Sequence, residues 1–539
     1  MILSPRWRKR CMVVLVIGSV GVTVDGAIQS AWSQEAQTSS APHSASLAPT
    51  RTAPGVLSEP PQVSAAEIAW REAHMKRVNL PGPPLPEAPA ATLAAGAPAP
   101  GTETGGPQPN VPGTFRFWRA WSNSPANAGS ESAINEPSLG NAGRLIFETY
   151  NWYTALSTNG GVTWSFINPY TKFPAADGGF CCDQEALYDP SRDLMFWLLQ
   201  YIKTPTGNRL RVAMARGETN LAAGSFYYYD LTTAFLGQGT GNWLDYPHLA
   251  LSNNFLYLTV NVFNQSDVWV RTIIVRASLD QLRAGGTTTF TWWNTSNFTL
   301  TPVQGAREVM YLASHNSTTS LRIFSLADGS ATLSSFDRAI PVWTSTPRGS
   351  ATCTTPDGNN PCARLDHRIN SGWYTRSASG GEIGFLWTVR EGSGFPFPYV
   401  NSARFRESGL TYLNRPFIWN SSFAWFYAGV GVNDRGHVGI GSFTSGGGTY
   451  PRWWVGIDDD YNVAPPPWAM STVYNSTDAP DADVWGDYLR VRPFHPSMLN
   501  FIGSGYRVTC GASSGCAWPS GVVFGRERDQ GSWERWNLK

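Results

Sequence analysis

An all-β chain folded as a β-propeller of seven four-stranded blades is what this sequence predicts, on three observations. Short polar clusters recur ahead of apolar, strand-like runs, with starts at Glu136, Asp183, Asp245, Arg307, Asp366, Tyr427 and Asp487. Those starts lie 47, 62, 62, 59, 61 and 60 residues apart, and a near-constant period marks a repeated supersecondary unit. The chain carries 24 Trp, 20 Tyr and 26 Phe in 539 residues, a composition that suits pleated sheets. The third observation is local. The run Ser157-Thr158-Asn159-Gly160-Gly161-Val162-Thr163-Trp164 follows an apolar strand and turns tightly through Asn and Gly, where positive φ is needed, before a second strand.

The elements follow in order. Residues 1–33 have a basic start (Arg6, Arg8, Lys9, Arg10), an apolar run from Met12 to Val24 and small residues near Ala31 and Ser33, the three parts of an export signal. Cys11 precedes the apolar run instead of following it, so no lipid anchor is read. Residues 34–113 are rich in Ala, Pro, Ser and Thr and are expected to lack fixed structure, because such a segment cannot bury enough surface to offset its ordering entropy. Within it, Ser64 to Lys76 has helical spacing at Ala65, Ile68, Ala69 and Met75, enough for a short or transient helix. Aromatics return at Phe115, Phe117, Trp118 and Trp121, so the propeller domain is placed at 114–539.

Most starts are followed by a second strand-like run, such as Leu194-Met195-Phe196-Trp197 or Phe255-Leu256-Tyr257-Leu258. The fourth departs, its Val309-Met310-Tyr311-Leu312 following at once. The last unit is short, and Phe115 to Asn123 is expected to complete it and close the ring, which removes unpaired sheet edges.

Forty Lys and Arg against 39 Asp and Glu leave a net charge of +1 with no long single-sign run, which excludes bulk attraction to nucleic acid. No apolar stretch after the signal is long enough to span a membrane, so a soluble exported chain is expected, with an uncleaved N-terminal anchor as the alternative; a monomer is expected as well. Six cysteines follow the signal, an even number that favours disulfides. Cys353 and Cys362 bracket one turn-rich loop, and Cys510 and Cys516 another; each pair reads as a local clip. Adjacent Cys181 and Cys182 either bridge each other or stay as two buried thiols.

The hairpin at 157–164 resembles the Asp-box of sialidase-like (BNR-repeat) propellers, with Asn159 where that family usually has Asp. Trp485-Gly486-Asp487-Tyr488 and Asn135-Glu136-Pro137-Ser138 resemble the last-blade and first-blade starts of secreted members of that group. The resemblance covers roughly 115–539 and implies a sialidase-like propeller, for which six blades is the alternative count. It implies no single activity.

In a propeller the loops entering the innermost strands gather at one mouth of the channel. Glu136, Asp183, Glu185, Asp245, His248, Arg307, Asp366, Arg368, Asp487, Tyr488 and Arg490 are therefore expected to converge there. The first reading is a binding or scaffold module for a glycan or extracellular protein ligand, with Glu136, Asp245, Arg307, Arg368, Asp487 and Arg490 as ligand contacts. The alternative is a glycoside hydrolase in which Asp183 and Asp366 supply carboxyl chemistry and Tyr488 a nucleophile. The sialidase Arg-Ile-Pro motif is missing, with Asn135-Glu136-Pro137 in its place. Asp458-Asp459-Asp460 and the string Asp478, Asp481, Asp483 offer oxygens to calcium without a metal-loop spacing, and seven His lack zinc spacing, so no metal site and no cofactor are expected, with calcium at these acidic runs as the alternative.

Overall fold

The computed structural model describes residues 37–38, 41–75, 80–87, 114–123, 132, 134–377, 380–460, 468–481, 483–510 and 516–537. The expected signal at 1–33 and the stretch 88–113 lie outside the described residues. Everything discussed below belongs to one compact unit, Ala36–Lys539.

That unit is built from six β-sheets among the described residues. Five carry a single antiparallel meander; the sixth has nine strands, formed by two meanders joined where Val303 and Gln304 pair in parallel with Gly372 and Trp373. The first strands of successive meanders are Ser138–Ala142, Phe180–Asp189, Trp243–Leu251, Thr301–Gln304, Ile369–Ser377, Ala424–Val432 and Arg490–Pro493. Each contacts the next, and Arg490–Pro493 returns to Ser138–Ala142, so the inner strands form a closed ring, the arrangement of a β-propeller. Phe115–Ser122 pairs antiparallel with Ala517–Arg526, so the two ends of the domain share one sheet and close the circle.

Alternation explains the layering. Along Leu194–Tyr201 every residue is buried, as expected of a strand covered on both faces by neighbouring sheets. Apolar side chains of one meander interdigitate with the next: Leu198, Val212 and Leu231 share a core with Leu249, Leu258 and Ile273. At the outer edge, the 157–164 hairpin joins Thr154–Ser157 to Ser165–Ile167. The Asn159 side-chain oxygen accepts the backbone N–H of Val162 and Thr163 at 3.1 and 2.9 Å, and the Ser157 hydroxyl accepts that of Gly161 at 2.8 Å. Asn therefore performs the turn-stapling task with the same oxygen geometry an Asp would use.

Two expectations are corrected. Val309–Ser317 is the second strand of its meander; the first is Thr301–Gln304, upstream of Arg307. And the stretch expected to lack fixed structure contains ordered parts. Gln37–Thr38 pairs with Ser334–Ala339, His43–Leu47 with Thr288–Thr295, Thr50–Arg51 with Tyr227–Thr232, and Leu57 bridges to Phe166. A strap thus crosses the outer strands of four consecutive meanders. It needs no core of its own, since a preformed sheet edge supplies its hydrogen-bond partners. Helix α1, Ala65–Met75, follows and packs on Phe180–Asp189. All three cysteine pairs are bridged: Cys181–Cys182, Cys353–Cys362 and Cys510–Cys516. Among the described residues no helix is long and apolar enough to cross a membrane.

Candidate functional site

The starts of the inner strands bring together carboxyls from five meanders. Glu136 precedes Ser138–Ala142, Asp183 and Asp245 lie within their strands, and Asp366 and Asp487 enter theirs from the preceding loop. Gly486 explains one local motif: a Cβ there would stand 1.9 Å from the Asn135 carbonyl, so only glycine lets the last entry loop lie against the first and set Asp487 beside Glu136.

The cluster is buried and unevenly compensated. Asp183 is 1% exposed, and among the described residues no nitrogen donor reaches either of its oxygens; its neighbours are the carboxyls of Glu136, Asp245 and Asp487. Burial, then those negative neighbours, raise the Asp183 carboxyl well above its ordinary range. Burial, reinforced by Asp487, pushes Glu136 up to about 8, although Asn151 donates to it at 3.3 Å. Burial takes Asp487 to about 6 against the opposing pull of Arg368. Asp366 goes the other way. Burial favours its neutral form, but the Arg368 guanidinium donates to both its oxygens, at 2.8 and 2.7 Å, and holds it below the usual carboxylate range. Arg368 also stands 3.9 Å from Asp487 and lies over the Tyr246 ring, 4.3 Å from its centroid.

Tyrosines close the group. Tyr246 and Tyr427 sit at bulges of their strands with φ of 58° and 45°, left-handed values that a bulky residue holds only when its surroundings impose them. Both are buried beside Asp366, Arg368 and Asp487. Tyr488 packs on Tyr246 at 5.1 Å and donates its hydroxyl to the Pro247 carbonyl at 2.9 Å. Burial, with the Asp183 carboxyl next in effect, raises that phenol well above its ordinary range and keeps it protonated, which opposes the nucleophilic role expected of it.

Deeper along the channel, Glu185 accepts Arg490 and Arg492 at 2.8 Å each and the backbone N–H of Leu249 at 2.7 Å. Arg490 also reaches His248 at 3.1 Å and the Leu489 carbonyl, so its donors are spent on structure and it is not placed to grip a ligand as expected. Burial first, then Arg490, lowers His248 to about 3 and keeps it neutral.

Arg307 is at the other end. With Asp189, Ser252, Thr375, Asp434 and Pro493 it lines a cavity of about 710 Å³ formed where the inner strands finish. The repeat period had placed it at a strand start; it follows its inner strand instead. Of the acidic tracts, Asp459 is held by two nitrogens of the Arg526 guanidinium at 2.7 and 2.9 Å, and Asp460 by Arg528 at 2.8 Å, while His437, Asp459 and Asp460 bring possible ligand atoms within 4.8 Å of one another.

Sequence reasoning missed the partner supplied by the N-terminal segment. The Leu80 N–H donates to Asp245 at 3.4 Å, and Arg368 donates to the Leu80 carbonyl at 2.9 Å. In α1 the Arg71 guanidinium is buried over the Tyr170 ring, 3.6 Å from its centroid, while Val63 and Ile68 pack against Trp152 and the bridged Cys181–Cys182. The apolar positions of 64–76 carried that signal, but a composition rich in Pro and Ala masked it.

No protein-family model and no curated protein matches the chain. Among solved structures it is similar to the Fusarium graminearum α-L-arabinofuranosidase Arb93A (9% identity, TM-score 0.39, 76% of this chain and 97% of that one). It is similar also to the Penicillium chrysogenum α-L-arabinanase (9%, 0.35, 77% and 99%) and to the Trypanosoma rangeli sialidase (9%, 0.34, 60% and 54%).

Proposed function

We propose that this chain is an exported, seven-bladed, sialidase-like propeller that hydrolyses glycosides at the carboxyl-lined end of its channel. The observation that carries the reading is one buried cluster in which Asp183 lies among carboxyls with no nitrogen donor at either oxygen among the described residues, while Asp366, linked to it through Asp487, is gripped at both oxygens by Arg368; burial favours the protonated form of the first and the arginine the ionised form of the second. Glycosidic cleavage needs a carboxylic acid to protonate the leaving oxygen and a carboxylate to stabilise or attack the sugar, and environments that push two pKa values apart assign those roles. Asp183 or Glu136 is the acid and Asp366 the carboxylate; Tyr246 and Tyr427 offer rings and hydroxyls for the sugar.

A sugar carboxylate needs guanidinium forks: Arg368 is engaged by Asp366, Arg490 by Glu185, and Arg307 stands at the far end, whereas Arg348 and Arg364 also act on the carboxyl cluster, so the charge of the sugar is what the assay decides. The blade count rests on taking the nine-stranded sheet as two blades, each with its own inner strand in the ring. Three disulfides support export, with 1–33 as the signal and 114–539 as the catalytic domain.

A panel of fluorogenic neutral and acidic glycosides tests the reading. Asp183→Asn is expected to lower turnover of the preferred glycoside by about 10²–10⁴-fold while leaving the fold intact. Unchanged turnover would end the assignment. A second reading, a glycan-binding module without turnover, is favoured by the way Asp245 and Arg368 already hold main-chain groups of Leu80 as a ligand would be held. Glycan-array binding by a chain inactive on every glycoside would select it.

A further inference from the structure

The segment that touches this site has a composition unlike the rest of the chain: Leu80-Pro81-Gly82-Pro83-Pro84-Leu85-Pro86. Four prolines fix φ and hold each preceding residue extended, so little conformational entropy remains to be lost when the segment docks. Its prolines face outward, and its contacts come from the residues between them. Leu80 packs against the aromatic cluster of Trp243, Phe263 and Phe298, and Leu85 against the core of the fourth and fifth meanders. Gly82 lies flat on the Phe298 ring, where an added Cβ would fall 2.3 Å from the ring carbons. Main-chain groups are read as well: the Leu80 N–H by Asp245 and the Leu80 carbonyl by Arg368, and the Pro86 carbonyl by the Thr318 N–H at 3.1 Å. A space of about 280 Å³ remains between Pro83–Pro86 and Phe298, His315 and His367.

We infer that this face of the propeller is a recognition groove for an extended, proline-stiffened peptide with leucines five residues apart, and that residues 80–86 fill it in cis. Two leucine anchors, a glycine that only a flat ring accommodates, and paired main-chain contacts are the elements of sequence-selective peptide binding: backbone bonds give affinity and side-chain pockets give specificity. The cis copy is tethered, so its effective concentration is in the millimolar range and a free peptide meets an occupied groove. The inference does not depend on the glycosidase reading; it concerns the surface beside the carboxyls.

The test is fluorescence anisotropy of a labelled peptide copying residues 80–87, titrated with the full chain. Wild type is expected to bind it weakly, and Gly82→Val, which drives a side chain into Phe298 and unseats the cis segment, at least tenfold more tightly. Hydrogen exchange on the same variant is expected to show the Thr318 amide losing protection while the inner strands keep theirs. A peptide carrying Gly82→Val itself is expected to bind neither chain. Equal peptide affinity for wild type and Gly82→Val, absence of binding to a variant whose segment exchange shows to be released, or a segment that stays protected in Gly82→Val would each overturn the inference. Glycoside turnover is not read in this experiment, so its outcome is separate from that of the hydrolase assignment.

Discussion

Asp183 and Glu185 lie two residues apart on one inner strand, both are 1% exposed, and they meet opposite surroundings. Glu185 has two arginines and a backbone N–H, and despite burial its carboxyl is held below the ordinary range. Asp183 faces other carboxyls and is pushed up. The difference teaches that burial alone does not define a site: a compensated charge is part of the scaffold, whereas an uncompensated one must be maintained by the fold against its own electrostatic cost.

The sharpest way to break the comparison is Glu185→Gln. It strands Arg490 and Arg492 as buried cations, and a loss of about 3–5 kcal/mol in denaturant-derived stability is expected; a loss below about 1 kcal/mol would remove Glu185 from the scaffold. The pH profile comes next. Glu136 has a folded pKa of about 8, above its unfolded value, so the native state keeps a proton the unfolded chain has released. Its contribution is therefore most favourable at low pH, declines at about 1.4 kcal/mol per pH unit between the unfolded and folded values, and is flat above pH 8. Thermal midpoints measured from pH 5 to 8 should fall, and Glu136→Gln should flatten that slope; a slope unaltered by the substitution would place the proton elsewhere.

Asp183→Asn probes the other side of the pair. Replacing an acid already driven to its neutral form by a neutral isostere should change stability by less than about 1 kcal/mol, which urea unfolding can read, in contrast to Glu185→Gln. The smallest effect is reserved for the outer hairpin. Asn159→Ala removes the acceptor of two turn N–H groups and should cost about 1 kcal/mol, while Asn159→Asp, which keeps that oxygen, should cost a few tenths. Equal losses for the two would show that the amide donor, not the acceptor, staples the turn.

Much of this was legible because it is local or periodic. The Asn-Gly turn, the short cysteine spacings and the return of one polar start about every sixty residues determine the meanders, two of the disulfides and the end of the channel to which Glu136, Asp183, Asp245, Asp366 and Asp487 belong. Tertiary structure decided the rest, because it depends on which long-range partner each group meets. Nothing near Arg490 or Glu185 in sequence says that residues 305 positions apart will pair and withdraw a guanidinium from the mouth. Arg307 kept the period yet fell on the far side, since its unit's inner strand is short and precedes it. The N-terminal segment has too little apolar surface to fold by itself; it is ordered only because finished sheet edges and the aromatic face around Phe298 supply the partners it lacks.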